Sequence, residues 1–233
     1  MNYNKIIIVT TQAPIQAAGG FENKNYQLVK FLDRRYDVTA VVVSSLYETA
    51  VKKVSSSSLS QPNSPRFSLY QQTVADLIRG FFVCCWNGYP LQFMFSFCSK
   101  AESHVANLCT GTDVFVLGSV IRSYPFLKIA HKKGCPYGVD LADFLSDFYE
   151  RYALHLNCKV TSKLAKLEAR RLRRIENDTL ANSKFITAFV ARSDGVGLES
   201  LVPHGFQRFL RQYHMPQAKP DRWCFVFVGN LTA

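Results

Sequence analysis

Apolar and polar residues follow each other along the chain in blocks that predict strands and helices in alternation. The first apolar run, Lys5–Thr10, predicts a strand. The segment 21–35 has apolar residues available for a buried helix face, and 36–44 is again almost entirely apolar at its C-terminal end. A strand, a helix and a second strand in this order predict a βαβ unit, in which the two strands are parallel.

The same alternation continues to about residue 202. Further strands are predicted at 67–70, 113–117, 135–139, 185–190 and 201–202. Further helices are predicted at 72–85, 99–109, 125–133, 144–157 and 159–180. A stretch rich in Ser, Pro and Asn at 55–65 predicts a surface loop. Together these elements predict an α/β fold with a Rossmann-like, doubly wound and mostly parallel sheet.

Three loops are expected to meet beyond the carboxyl ends of the strands, where such a sheet binds its ligands. They span 11–20, 118–123 and 140–146. The first contains Gly19 and Gly20 just before a helix, where free backbone N–H groups and the helix dipole suit a phosphate. A plain tight turn explains the glycine pair equally well. Neither GxGxxG nor GxxxxGKS/T occurs, which argues against a dinucleotide fingerprint and against a P-loop.

Two carboxylates follow the strand predicted at 135–139. Asp140 stands at the carboxyl end of that strand and is the better site candidate, whereas Asp143 is also a residue type favoured at a helix N-cap. No histidine or third carboxylate stands at ligand spacing, so no metal site is predicted. The sequence assigns no catalytic residue.

The composition is that of an ordinary globular protein, with 48% hydrophobic residues. No window of about 18 uncharged apolar residues occurs, so no membrane-spanning helix is expected. The cysteines, 7 in number, have irregular spacing and no CxxC motif, which predicts reduced thiols and a cytoplasmic location. The net charge of +11 favours a polyanionic partner: nucleic acid, an anionic membrane surface or a phosphorylated ligand.

The predicted helix at 159–180 begins with a strongly basic segment that also carries an apolar stripe. A solvated helix face and a contact with an anionic membrane or another polyanion both explain this pattern. A nucleic-acid interface is less favoured, because no recognised RNA- or DNA-binding motif accompanies the charge. The residues expected to make a membrane or polyanion contact are Lys163, Lys166, Arg170, Arg171 and Arg174.

The chain ends on an apolar run at 223–228 that is closed by Gly229. The polar stretch before it carries two prolines and predicts a linker. We therefore expect one Rossmann-like domain at 1–206, a linker at 207–221, and the first strand of a second domain at 222–233.

Several segments, in this order, resemble the N-terminal half of a GT-B glycosyltransferase of the glycosyltransferase family 4 kind. They are the glycine pair before the first helix and the segments DVTAVVVS, GVDLADFLSDFYERYA, LEARRLRRIENDTLANSKFITAF, SLVPHGF and CFVFVGNLTA. The last of these is similar to the first strand of the family's C-terminal domain. The segments WNGYPLQ and SVIRSYPFL are similar to a bacterial sugar-transferase subgroup.

The resemblance implies that the full-length protein transfers a sugar from a nucleotide-diphosphate sugar to a glycan or lipid-linked acceptor, as in polysaccharide biosynthesis. It implies no cofactor besides this donor substrate. By position, Gly19 and Gly20 match the loop that the family offers to the donor phosphates. The candidates for the acceptor site lie in the two neighbouring loops: Gly118, Ser119, Arg122, Asp140 and Asp143.

In the family, the C-terminal domain binds most of the donor, so this chain alone is expected to be inactive. A cytoplasmic protein at the inner face of the membrane is the expected setting. Two departures from the family are visible: Gly118 and Ser119 replace a common histidine, and His204 replaces the usual asparagine. The alternatives are a non-catalytic, degenerate glycosyltransferase-like binding module and, less favoured, a basic nucleic-acid-binding protein.

Overall fold

A computed structural model of the chain describes residues 3–11, 20–46, 66–141, 143–184 and 186–187. All of them belong to the first of the two units, Met1–Val202 and Pro203–Ala233, into which the chain divides. The surface loop predicted at 55–65, the strand at 201–202, the linker at 207–221 and the terminal strand at 222–233 lie outside the described residues.

The described strands form one sheet in which every neighbouring pair is parallel. Their bounds are β1 Lys5–Thr10, β2 Asp37–Ser44, β3 Arg66–Gln71, β4 Val114–Gly118, β5 Tyr137–Asp140 and β6 Ile186–Thr187. The order across the sheet is β3-β2-β1-β4-β5-β6, so the direction of winding reverses between β1 and β4. The predicted Rossmann-like, doubly wound fold is therefore confirmed.

The helices cover both faces of this sheet and match the predicted ones to within about three residues at each end. Their bounds are α1 Gly20–Leu32, α2 Val74–Asn87, α3 Ser99–Leu108, α4 Tyr124–Lys132, α5 Leu145–His155 and α6 Lys159–Asn182. Helix α2 ends where Gly88 adopts the left-handed conformation, with φ of 60°, that glycine allows at low cost. No described helix is both long and apolar enough to cross a membrane.

Successive residues of β1 build two separate cores, because side chains of a strand alternate between its faces. Ile6 and Ile8 pack with Val29 of α1 on one face. Ile7 and Val9 pack on the other face, under the helices from α2 to α6. The near-continuous apolar runs of the strands follow from this arrangement, because a parallel sheet covered on both faces has no solvent side.

A 3-10 helix at Leu91–Ser96, which the sequence pattern does not predict, brings the chain back from the end of α2. Gln72, at the end of β3, holds this turn in place. Its side-chain amide donates hydrogen bonds to the carbonyl oxygens of Met94 and Phe97, at 2.6 and 2.9 Å. Met94 and Phe97 lie 22 and 25 residues after Gln72 in the chain, so local propensity alone does not specify the turn.

The carboxylate of Asp76 ties the starts of α2 and α3 together. It forms a capping box with Thr73, whose hydroxyl oxygen accepts from the Asp76 amide at 3.1 Å. Its Oδ1 accepts hydrogen bonds from the amide and hydroxyl of Ser99, at 2.9 and 2.6 Å. Burial by itself would raise the pKa of Asp76, but the hydrogen bonds from Ser99 and Thr73 outweigh it and hold the pKa well below its ordinary value of 3.8.

The substitution Asp76→Asn is expected to change how stability depends on pH. Because the pKa of Asp76 is lower in the folded state, its ionised form stabilises the fold above about pH 4, and this contribution is lost as the pH falls further. Urea unfolding followed by circular dichroism should show a loss of about 1–3 kcal/mol at neutral pH and a smaller loss near pH 2. Asp33→Asn, at an exposed carboxylate, is the control. An equal loss for Asp76→Asn at both pH values would contradict the prediction.

Candidate functional site

The carboxyl ends of β1, β4 and β5 lie side by side at one edge of the sheet, which we call the carboxyl edge. Val9 pairs with Gly118, and Gly118 pairs with Val139. The loops that follow these strands therefore start at neighbouring positions, as predicted. The winding reverses between β1 and β4, and in open α/β sheets a ligand crevice forms at such a reversal.

An ion pair between Lys24 and Asp140 links both sides of this reversal. Lys24 belongs to the first turns of α1, whereas Asp140 is the last residue of β5, two strands away from β1. Lys24 Nζ lies 2.7 Å from Asp140 Oδ2, and only 17% and 10% of the two side chains are exposed. The pair thus places two opposite charges, largely shielded from water, beside the end of β4.

Small polar side chains surround the ends of β1 and β4. Asn25 of α1 donates from Nδ2 to the hydroxyl oxygen of Thr10 at 2.9 Å, and both side chains are buried. The hydroxyl groups of Thr11 and Ser119 are also buried, and neither has a hydrogen-bond partner in the part of the chain that the structure describes. Buried hydroxyls without partners are uncommon in folded proteins, so this edge is the best candidate for a ligand site.

The loop after β4 is held tightly against the sheet. The amide of Ser119 and the hydroxyl of Ser123 both donate to the carbonyl oxygen of Val9, at 3.0 and 3.1 Å. A Cβ at Gly118 would lie 3.1 Å from the Cβ of Ser123 and 3.3 Å from Leu127. Close packing of the loop and α4 over the strand therefore explains why a glycine stands at position 118.

The other residues predicted for the site lie in different surroundings. Gly20 is the first residue of α1, and Gly19 lies outside the described residues. Arg122 is half-buried in the loop after β4. Asp143 is exposed, whereas Asp140 is buried. The roles proposed for these residues stay predictions.

The alternative interpretation of Asp143 as a helix cap is wrong, because α5 has Phe144 at its N-cap and no side-chain cap there. Glu176 of α6 instead accepts the hydrogen bonds that are donated at the start of α5. Its carboxylate accepts from the amide and the hydroxyl of Ser146, at 3.0 and 2.5 Å, and is buried. A negative charge at a helix N-terminus is favourable, so a partner from a distant segment takes over the role of a local cap.

Sequence reasoning did not single out Glu176. A signal for it existed, because Glu176 shares a helix face with the apolar Leu172 and with Ile175 and Thr179, all of which are buried. A carboxylate on the buried face of an amphipathic helix requires a partner inside the fold.

The basic residues predicted on α6 divide into two groups. Arg171 donates to the carbonyl oxygen of Tyr89 at 3.3 Å, and Arg174 donates to the carbonyl oxygens of Asn87 and Gly88 at 2.9 and 2.8 Å. These two arginines therefore bind the C-terminal end of α2 and the two residues that follow it. The other three, which are Lys163, Lys166 and Arg170, are exposed.

The comparisons with known proteins give structural likenesses only. A scan against models of protein families finds no match, and a search of curated proteins finds none either. Among solved structures, the chain is similar to UGT71G1 of Medicago truncatula complexed with UDP-glucose, with a TM-score of 0.44 and 11% identity. The likeness covers 86% of this chain and 50% of that one, so the chain spans about half the length of the structure it matches. The fold assignment rests on the sheet order itself.

A double-mutant cycle on Lys24 and Asp140 should measure how strongly the ion pair couples. Each single substitution, Lys24→Met or Asp140→Asn, leaves the remaining charged group largely buried and without its partner. The loss of unfolding free energy in the double variant should therefore be smaller than the sum of the losses in the two single variants. We expect a coupling free energy of about 1–3 kcal/mol from urea unfolding at neutral pH.

The matched control is the more exposed pair of Lys128 and Asp178, whose charged atoms are 3.6 Å apart. The corresponding cycle, Lys128→Met with Asp178→Asn, should give about 0.2–1 kcal/mol. Equal coupling in the two cycles would mean that burial at the carboxyl edge adds nothing to the Lys24–Asp140 pair.

Proposed function

We propose that this chain is the N-terminal, acceptor-side domain of a glycosyltransferase of the GT-B kind. The protein would transfer a sugar from a nucleotide-diphosphate sugar to a glycan or lipid-linked acceptor. One observation carries the proposal: the Lys24–Asp140 ion pair and the buried hydroxyl of Ser119 both lie at strand ends next to the reversal of winding in a Rossmann-like sheet. The segments that resemble glycosyltransferase family 4 include both the glycine pair before the first helix and the segment around Asp140.

On the donor side, the start of α1 supplies the chemistry that a diphosphate requires. The first amides of a helix have no partners within the helix, and the helix dipole adds a partial positive charge there. Gly20 is the first residue of α1, and a glycine has no Cβ to keep a phosphate away from the backbone. Lys24 follows about one turn later, so its ammonium group, which is paired with Asp140, lies near the same end.

On the acceptor side, the end of β5 and the loop after β4 supply hydrogen-bonding groups. Transfer forms a bond between the anomeric carbon of the sugar and an acceptor oxygen, and it breaks the bond between that carbon and the diphosphate. The acceptor hydroxyl has to be oriented toward the carbon while it loses its proton. The carboxylate of Asp140 and the hydroxyl of Ser119 are our candidates for this orientation, with Arg122 and Asp143 farther out on the same loops.

The test is sugar transfer by the full reading frame of the gene, since in the resembled family a second domain binds most of the donor. A panel of UDP-, GDP- and ADP-sugars is offered together with membrane extracts and soluble glycans as acceptors. Transfer from one class of donor supports the proposal. A protein that binds a nucleotide sugar without transferring or hydrolysing it would be a non-catalytic module, and one that binds none of them would overturn the proposal.

The substitution Gly20→Val in the same full-length protein should impair transfer and leave the fold intact. A branched side chain at the first residue of α1 would restrict the backbone and push the diphosphate away from the helix amides. Losing one hydrogen bond to a charged group corresponds to about 1.5–3 kcal/mol, or about tenfold to a hundredfold in kcat/KM. Gly20→Ala, with a smaller side chain, should lie between the wild type and Gly20→Val.

The thermal unfolding midpoint distinguishes a lost contact from a lost fold. Full activity of Gly20→Val would remove the start of α1 from the donor site. Lost activity together with a large drop in the midpoint would mean that the glycine serves only the turn.

A further inference from the structure

Helices α5 and α6 form a hairpin that leaves the sheet at its carboxyl edge. Ser146 at the start of α5 binds Glu176 of α6, and at the far end of the hairpin the hydroxyl of Ser162 donates to the carbonyl oxygen of Ala153 at 2.8 Å. Only the short part of α6 after Glu176 leads back to β6. The 11 residues of α5 make this arm of the hairpin about 16 Å long.

The hairpin exposes large apolar side chains on both of its helices. On α6, the exposed fractions of Val160, Leu164 and Leu167 are 66%, 54% and 43%. On α5, Phe148 and Tyr152 are about half exposed and stack on each other with their rings 6.0 Å apart. Val160, Leu164 and Leu167, which lie on one side of α6, form what we call the apolar face of the hairpin.

The exposed basic residues of α6 accompany this face. Lys163 and Arg170 recur with Val160, Leu164 and Leu167 at spacings of three and four residues, which places them on one side of the helix. Lys166 flanks the same side. The opposite side of α6 is buried, and it carries Ala165, Ala169 and Leu172.

The acidic residues of the hairpin do not offset this positive charge. Asp147 and Glu150 both accept from Arg173, at 2.8 and 3.0 Å. Glu168 accepts from the backbone amide of Leu91 with both of its oxygens, at 3.0 and 2.9 Å. Among the described residues no ion pair involves Lys163, Lys166 or Arg170, so these three charges face outwards without an acidic partner there.

We propose that the hairpin docks on the surface of an anionic lipid bilayer. Apolar side chains next to outward lysines and arginines are the arrangement by which helices lie at a membrane interface, with the apolar side in the acyl boundary and the cations at the headgroups. The phosphates of a polynucleotide would bind the positive charges, but they would not bury the apolar side chains of Val160, Leu164 and Leu167. The contact uses Lys163, Lys166 and Arg170, whereas Arg171 and Arg174 are engaged with the end of α2.

Docking through the hairpin would hold the carboxyl edge close to the bilayer. If the function proposed above holds, a lipid-linked acceptor would then reach Asp140 from the membrane side. Vesicle binding does not require sugar transfer. The proposal of a docking surface and the proposal of an enzymatic function can therefore be disproved independently.

The experiment is sedimentation of the chain with vesicles of phosphatidylcholine, with and without phosphatidylglycerol. Wild-type protein should bind the anionic vesicles much more strongly than the neutral ones, and added salt should weaken the binding. Each basic residue near an anionic surface contributes about fivefold to the partition coefficient, so K163E, K166E and R170E together should lower it by about a hundredfold or more.

The control variant carries the same change of charge at the other edge of the sheet. It combines R34E, R35E and K132E, at exposed residues that lie near the amino end of β2 and at the end of α4. This variant should retain vesicle binding to within about threefold. Equal losses in the two variants would assign the binding to net charge alone, and no loss in either would also overturn the proposal.

A third variant tests the apolar side without changing any charge. Leu164→Ser with Leu167→Ser removes exposed side chains, so the fold should persist, and circular dichroism checks this. Binding to anionic vesicles should fall by about tenfold or more, because the lost side chains no longer enter the acyl boundary. Unchanged vesicle binding in this variant would contradict the proposal. A second result would also contradict it. The wild type would bind polyuridylate RNA more tightly than anionic vesicles, and the variant with K163E, K166E and R170E would lose this RNA binding.

Discussion

The carboxylate of Glu176 lies on the buried side of α6, where an ionised group requires hydrogen-bond donors to offset its lost hydration. The amide and hydroxyl of Ser146 provide them, and the dipole of α5 adds a favourable field. Because Ser146 closely follows Asp140 in the chain, this contact fixes where α5 leaves the carboxyl edge. It also sets the register of α6 against α5, and thereby decides which side of α6 faces the interior and which side faces outwards.

This orientation explains why the positive charges of α6 serve different purposes. The cations that bind neighbouring helices are arginines, whose planar guanidinium groups reach several acceptors at once. Arg173 bridges Asp147 and Glu150 of α5, and Arg174 binds two carbonyl groups at the end of α2. The outward group contains two lysines, whose compact, well-hydrated charges suit a helix side that faces solvent or lipid headgroups. One basic segment of sequence thus both joins three helices and supplies an external surface.

The carboxyl edge depends on a second long-range contact of the same kind. Lys24 comes from α1, which covers one face of the sheet, and Asp140 comes from β5, whose following chain covers the other face. Their ion pair joins α1 to the strand next to β4, and the buried hydroxyl of Ser119 follows the end of β4. The edge therefore combines charge, small polar groups and a helix N-terminus within a limited space, which is the chemistry expected at the ligand crevice of a doubly wound sheet.

The sequence by itself determined the succession of strands and helices, the parallel sheet and the edge at which a ligand site is expected. Those features depend on local apolar runs and on the spacing of polar loops, which are visible along the chain. The residues of Lys5–Thr10, for example, are predicted as a strand and form one. The position of Asp140 at a strand end follows from the same local pattern. The sequence also made α6 recognisable as a basic helix with an apolar stripe.

Only the tertiary structure decided which residues serve as partners. The sequence contained no indication that Lys24 meets Asp140, that Glu176 rather than Asp143 satisfies the start of α5, or that Arg174 closes α2. These contacts join segments that are far apart in the chain, and each depends on a helix being rotated by its packing against the sheet. A pattern of residue types along the chain indicates which side chains require partners. Which partner each side chain meets is determined by the packing of the cores on the two faces, because that packing sets the orientation of every helix.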